Sequence, residues 1–173
     1  IKGVILSGGP ESVYEKNSPK IDYSSISYFL DRKIPILGIC YGMQLLVYIL
    51  KGKVTKGKIH EYGLSKIKLN KNSILFSKVP EESIVWMSHG DTISQLPEGF
   101  DIVAITDNNL IAAAEDVKRC IYLLQFHPEV KHTQYGIEIL KNFVFDICGA
   151  VANWQMESFV ETSISEIKNV VKE

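Results

Sequence analysis

Cys40 stands in GICYGMQ, residues 38 to 44, directly after the apolar run IPIL, with one glycine two places before it and another two places after. Glycines at that spacing suit a tight strand-to-helix elbow that presents a nucleophile: the turn is too crowded for side chains beside the cysteine, and its backbone angles favour glycine. The other reading of G-x-C-x-G is a buried structural cysteine. A nucleophilic cysteine needs a base to make thiolate and a donor to protonate the leaving group, so a histidine with an orienting carboxylate is the feature to look for. The chain has four histidines. His60 lies in a polar turn and His132 precedes a helix start, so both suit surface or capping roles. His89, in MSHGD, is expected at a strand end. His127, in QFHPEV, follows a strongly apolar run and has Glu129 two residues later, so in extended backbone both side chains emerge on the same side. Pro128 between them fixes one dihedral and stiffens the pair. Alone, His127 reads also as an unremarkable strand-end histidine; with Cys40 it completes a cysteine, histidine and carboxylate set.

A third element, SGGPES at residues 7 to 12, comes after the strand-like GVIL. Open α/β folds place ligand sites at the carboxyl ends of parallel strands, and two glycines let backbone N–H groups approach a ligand. The stretch has neither the lysine nor the spacing of a phosphate loop. It reads as an oxyanion hole, with the N–H groups of Gly9 and Tyr41 converging on a developing negative charge, or as a plain turn.

Periodicity supplies the strands and helices that carry these residues. IDYSSISYFLDRK reads as a helix with an acidic start and a basic end, IPILGI as a buried strand, and YGMQLLVYILKG as a helix closed by Gly52. SKIKLN, SIVWMS, DIVAIT, LIAAAE and CIYLLQF are short β-type runs separated by turn residues. QYGIEILKNFVFDICG places Ile137, Leu140, Phe143, Val144 and Ile147 at helical spacing, so a last helix is expected over one sheet face. The expected class is α/β: a mixed, largely parallel central sheet flanked by helices, with the nucleophile on a strand–elbow–helix. Residues 1–149 form that domain. In residues 150–173, Phe159, Val160, Ile164, Ile167, Val170 and Val171 fall on one helical stripe, which reads as a linker helix or as a tail packed on its own domain.

Composition narrows the partners. A length of 173 residues suits one core, and a net charge of -1 without a Lys/Arg block leaves no electrostatic footprint for nucleic acid or an anionic membrane. Cys40, Cys120 and Cys148 are odd in number and not in metal-like spacing, so neither a disulfide framework nor a metal site is expected, and a reducing, cytoplasmic setting fits. No apolar run is long enough for a membrane span.

The order SGGP, G-x-C-x-G, M-S-H-G-D and H-P-E resembles the class I glutamine amidotransferase family over residues 1 to about 148. The resemblance implies Cys40 as nucleophile, His127 as general base and acid, and Glu129 as the group that orients His127. It implies Gly9 and Tyr41 as the oxyanion hole, and Gln44, Ser88, Gly90 and Asp91 as glutamine-holding positions. Relative to the family pattern the chain begins at the SGGP strand, without the strand and helix that come first there. NWQMESFVETSISEI resembles a connector to a synthetase (ATP-pyrophosphatase) domain of the same chain. That implies ATP and Mg²⁺ bound in that domain, ammonia delivered to XMP, no cofactor in residues 1–173, and a homodimeric intact enzyme. A stand-alone γ-glutamyl hydrolase, or an amidotransferase subunit of another biosynthetic enzyme, is the alternative.

Overall fold

The computed structural model describes residues 1–70, 72–153 and 156–171. The chain runs β1 (Val4–Leu6), α1 (Tyr23–Asp31), β2 (Ile36–Ile39), α2 (Tyr41–Ile49), β3 (Lys53–Leu69), β4 (Glu82–Gln95), β5 (Asp101–Thr106), β6 (Ile111–Asp116), β7 (Ile121–Leu124) and α3 (Gly136–Lys141). A π-helical segment, Asn142–Ile147, continues α3, and α4 covers Met156–Val171. The strands form one sheet in the order β1-β2-β7-β6-β5-β3-β4.

The α/β class and the mixed sheet agree with expectation, but the parallel part is smaller than expected. Among the described residues, only β1 with β2 and β2 with β7 pair in parallel. From β7 onward the pairing is antiparallel, because short turns such as 107–110 and 117–120 join consecutive strands and a parallel return needs a crossover. The parallel trio is what matters for the site. β1, β2 and β7 lie side by side and point the same way, so the residues at their carboxyl ends, SGGP, Cys40 and His127, emerge at one edge of the sheet.

Alternation along the central strands sorts side chains to two faces. Leu37, Tyr122 and Leu124 enter a cluster with Ile139 of α3 and Phe143 of the π-helical segment, whereas Ile36, Ile121 and Leu123 join Ile26 of α1 and Met43 and Leu46 of α2. Burying each such side chain contributes about 1.5–3 kcal/mol, which fixes β2 and β7 against both helical layers. Ile137 is exposed, so the buried stripe of the last helix runs through Ile139 and Phe143; the wider π turn, closed by Cys148 N–H to the Phe143 carbonyl at 2.9 Å, shifts the helical register after it.

Further expectations change in detail. α2 ends through Lys51, which takes a left-handed φ of 70°, with Gly52 N–H donating to the Val47 carbonyl at 2.8 Å. Gly52 is there for space: a Cβ on it would lie 2.6 Å from Val47 Cγ1 and 2.7 Å from the Gln95 carbonyl oxygen. Asp22 precedes α1 but its side chain makes no capping bond. β3 and β4 are far longer than the runs SKIKLN and SIVWMS; β3 meets β5 only at Ile67–Leu69, and the rest of the ribbon pairs with β4 alone. His89 is therefore inside β4 and His60 inside β3, not at a strand end or in a turn. Phe159, Ile164, Ile167 and Val171 of α4 are exposed, and Trp154, Gln155, Lys172 and Glu173 lie outside the described residues.

Candidate active site

Cys40 joins β2 to α2 with φ 51° and ψ -106°, an angle pair that costs a non-glycine residue roughly 1–3 kcal/mol and persists only where surrounding structure imposes it. The strain sits on the cysteine itself, and the flanking glycines serve close approach, not backbone angle. A Cβ on Gly42 would run into the Leu6 carbonyl oxygen, and one on Gly38 would lie 2.8 Å from the Gly42 carbonyl oxygen and from Met43 N. Cys40 N–H donates to the Leu124 carbonyl at 2.7 Å, tying the elbow to β7.

The histidine hangs from the other side of that tie. His127 N–H donates to the Trp86 carbonyl at 3.1 Å, while Thr133 Oγ1 donates to the His127 carbonyl at 2.6 Å and accepts from Trp86 N–H at 3.0 Å. Gly136 lets the loop close, since a Cβ there would strike the Pro128 carbonyl oxygen. His127 Nδ1 lies 2.7 Å from Glu129 Oε1. The carboxylate can only accept, so Nδ1 carries the proton and Nε2 is left as the basic nitrogen. A methyl on Gly8 would fall 2.8 Å from His127 Cε1 and 3.7 Å from Cys40 Cβ, so loop, base and nucleophile meet in one small space. His132, exposed on the same loop, stacks on Trp86 at 4.9 Å between ring centroids.

These groups open into a cleft of about 630 Å³ whose lining includes Cys40, His127, Gly9, Gln44, Ser88, Gly90 and Asp91. Tyr41 and Glu129 are not in the lining; Tyr41 follows Cys40 in the chain and Glu129 is paired with His127. Tyr41 opens α2 ahead of its first intrahelical bond, Gln44 N–H to the Cys40 carbonyl at 3.1 Å, and its ring packs beside Gly9, where a Cβ would be 3.3 Å from Tyr41 Cγ. The Tyr41 hydroxyl donates to the Pro19 carbonyl. Gln44 Nε2 donates to the Asp91 carbonyl and to Gln125 Oε1, each at 3.3 Å, and Tyr14 donates to the Asp91 carboxylate at 2.8 Å. Every residue expected at the site is thus brought together.

In the resting protein Cys40 is a thiol. Cys40 Sγ–H points to the Ser88 carbonyl at 3.6 Å. Burial pushes its pKa up to about 11; the Tyr41 N–H lowers it, the nearby Glu129 charge raises it further, and the Gln125 amide lowers it. The N–H at the start of α2 acts to lower the thiol pKa, as a helix N-terminus does, but desolvation outweighs it.

Tyr14, Glu61, Asn108, Gln125 and Thr133 belong to the site's support and were missed in the sequence. Gln125 had a local signal, two residues before His127; Glu61 reaches the site by the pairing of β3 with β4, and Tyr14, Asn108 and Thr133 reach it from loops by side-chain hydrogen bonds. Among the described residues no group of three His, Cys, Asp or Glu side chains is placed to hold a metal ion.

Residues 1–147 match the class-I glutamine amidotransferase family. A GMP synthase (glutamine-hydrolyzing) of Caldicellulosiruptor saccharolyticus is 51% identical over 98% of this chain and 32% of its own length, and one of Petrotoga mobilis 48% identical over 99% and 33%. The chain thus spans about a third of those relatives. A solved structure from Thermoplasma acidophilum, described as a GMP synthase subunit, superposes with TM-score 0.73 at 36% identity, covering 86% of this chain and 73% of that one. A glutamine amidotransferase of Thermotoga maritima gives TM-score 0.65 at 27% identity, over 82% and 61%. With its cysteine elbow and histidine–glutamate pair facing one cleft, the chain belongs to the class-I glutamine amidotransferase family.

Proposed function

We propose that this chain is the glutaminase part of a GMP synthase, releasing ammonia from glutamine for ATP-dependent amination of XMP in a synthetase domain of the same protein. The observation that carries the reading is the convergence of Cys40, the paired His127–Glu129 and the Gly8–Gly9 loop on one cleft. Relatives named GMP synthase, about half identical over nearly the whole chain and three times its length, support the choice of acceptor reaction. The cleft also suits an amino acid zwitterion, since Glu11, Glu15 and Asp91 line it together with Lys56 and His60.

In the proposed cycle, glutamine binding brings its side-chain amide to Cys40. His127 Nε2 takes the thiol proton as Sγ attacks the amide carbon, so that the raised thiol pKa is overcome only with substrate in place. The oxyanion is held by the N–H groups of Gly9 and Tyr41. His127 hands its proton to the nitrogen, the C–N bond breaks, ammonia leaves and a γ-glutamyl thioester remains. Water then gives a proton to His127 and attacks the thioester; glutamate departs and the proton returns to Sγ. Glu129 keeps Nδ1 protonated and the ring oriented throughout. ATP and Mg²⁺ belong to the synthetase domain, and α4 is proposed as the connector toward it.

The test is Cys40→Ala in the full-length protein. Glutamine-dependent GMP formation should vanish while formation from added ammonia persists. Equal loss with both nitrogen donors overturns the assignment, and full activity with glutamine does so too.

A further inference from the structure

Glu61 and His89 face each other across the β3–β4 ribbon with side chains 5% and 3% exposed. His89 Nε2 lies 3.3 Å from Glu61 Oε2, at ion-pair distance but off the line of a hydrogen bond, and neither atom has another partner among the described residues. The remaining atoms of both groups are committed. His89 Nδ1 is 2.9 Å from the Asp91 carbonyl oxygen, and Asn108 Nδ2 donates to Glu61 Oε1 at 2.9 Å.

These contacts fix the protons. A carbonyl only accepts, so Nδ1 must be the protonated nitrogen; a neutral ring would then turn a bare Nε2 lone pair toward a carboxylate oxygen. Two buried acceptors in opposition are costly, so one further proton belongs between His89 Nε2 and Glu61 Oε2. With it in place the ring is fixed and its Nδ1–H is aimed at Asp91.

The location gives the pair its purpose. The β3–β4 ladder breaks between Lys56, paired with Asp91, and Glu61, paired with His89, so residues 57–60 bulge opposite Gly90 alone. Gly90 and Asp91 line the cleft at that break, where Gly90 has no ladder partner and Asp91 is the first paired residue beyond it. The Asp91 carbonyl is held from one side by His89 and from the other by Gln44 Nε2 at 3.3 Å. We infer that Glu61, acting through His89, is a positioning residue that fixes the Gly90–Asp91 wall of the glutamine pocket. The inference rests on the glutaminase reading. Glu61 touches no reacting atom, so its effect belongs in substrate binding and not in the chemical step.

The experiment is glutamate release from glutamine by the full-length protein and three variants, with kcat and KM resolved. In Glu61→Gln the amide N–H supplies the donor that the carboxylate pair needs a shared proton for, and its oxygen still accepts from Asn108; both constants should stay within about twofold of the unaltered protein. Glu61→Ala leaves His89 Nε2 buried without a partner and should raise KM for glutamine about tenfold with kcat nearly unchanged. Asn108→Ala, in an exposed turn, spares the core in case Glu61→Ala does not fold, and should raise KM about two- to threefold. An unchanged KM in Asn108→Ala, a Glu61→Gln variant as impaired as Glu61→Ala, or a loss confined to kcat overturns the inference. Absence of glutamate release by the unaltered protein overturns the glutaminase reading instead, and this inference with it.

Discussion

The two halves of the candidate active site are held by different physics. Cys40 is positioned by contact: the start of α2 comes so close to β1 that only glycine fits at position 42 and so close to β2 that only glycine fits at position 38, and the cysteine absorbs the resulting left-handed φ. His127 is positioned by hydrogen bonds with Trp86, Thr133 and Glu129, on a loop whose glutamate side chain is 49% exposed. Steric placement fails all at once, because a packed backbone cannot yield by a fraction of an ångström. Hydrogen-bonded placement fails by degrees, one partner at a time.

Substitutions probe this contrast with effects of decreasing size. His127→Ala removes the proton carrier and should slow thioester formation by about 10²–10⁴-fold, measured by rapid acid quench, with little change in melting temperature. Gly42→Ala should act on the fold, destabilising it by roughly 3 kcal/mol in denaturant titration and abolishing activity with it, because the added methyl meets the Leu6 backbone and not a movable side chain. Glu129→Gln should cost less than His127→Ala, since packing by Pro128 and the Thr133 bond retain part of the ring's orientation; the acylation rate checks this ordering. Thr133→Ala should lower the rate only severalfold and stability by about 1–2 kcal/mol, as it leaves Trp86 N–H and the His127 carbonyl each short of a partner.

The resting thiol supplies a pH test of the same contrast. With its pKa pushed up to about 11, Cys40 alkylation by iodoacetamide without substrate should be slow at neutral pH and should climb with pH toward that value. The stability sign is the same: the folded state holds this proton more tightly than the unfolded chain, so the thiol's contribution is complete below the unfolded pKa of about 8.5 and is lost as pH rises toward 11. Rapid alkylation that levels off near neutrality would mean that the contact-built elbow does not desolvate the sulfur.

What the sequence made legible is local. G-x-C-x-G and H-P-E carry their geometry within a few residues, so the elbow and the oriented histidine could be expected from spacing, as could α1, α2 and the central strands β2, β6 and β7. The glycines were legible as an elbow for a partly wrong reason, since their role is space and the unusual angle belongs to Cys40. The β3–β4 ribbon was not legible at its true length, because KVTKGKIHEYG carries lysines and glycines that read as turn and the strand is supported mostly by one partner. Glu61 was lost with it: one carboxylate in a polar stretch gives no sign that it will be buried against a histidine from another strand. The π turn after α3 is likewise a product of packing, so helical periodicity alone placed Ile137 on the wrong face.

The mechanism stands or falls on where glutamine's side-chain carbon becomes attached. A diazoketone analogue of glutamine, incubated with the full-length protein and followed by peptide mass spectrometry, reads that position. Cys40 is the most buried of the three free thiols, so reagent accessibility alone favours Cys120 and Cys148. One adduct is expected, on the peptide containing Cys40, blocked by excess glutamine and formed far more slowly in His127→Ala. Labelling of Cys120 or Cys148 in its place, or glutamate release that survives once Cys40 carries the adduct, would contradict the assignment of Cys40 as nucleophile.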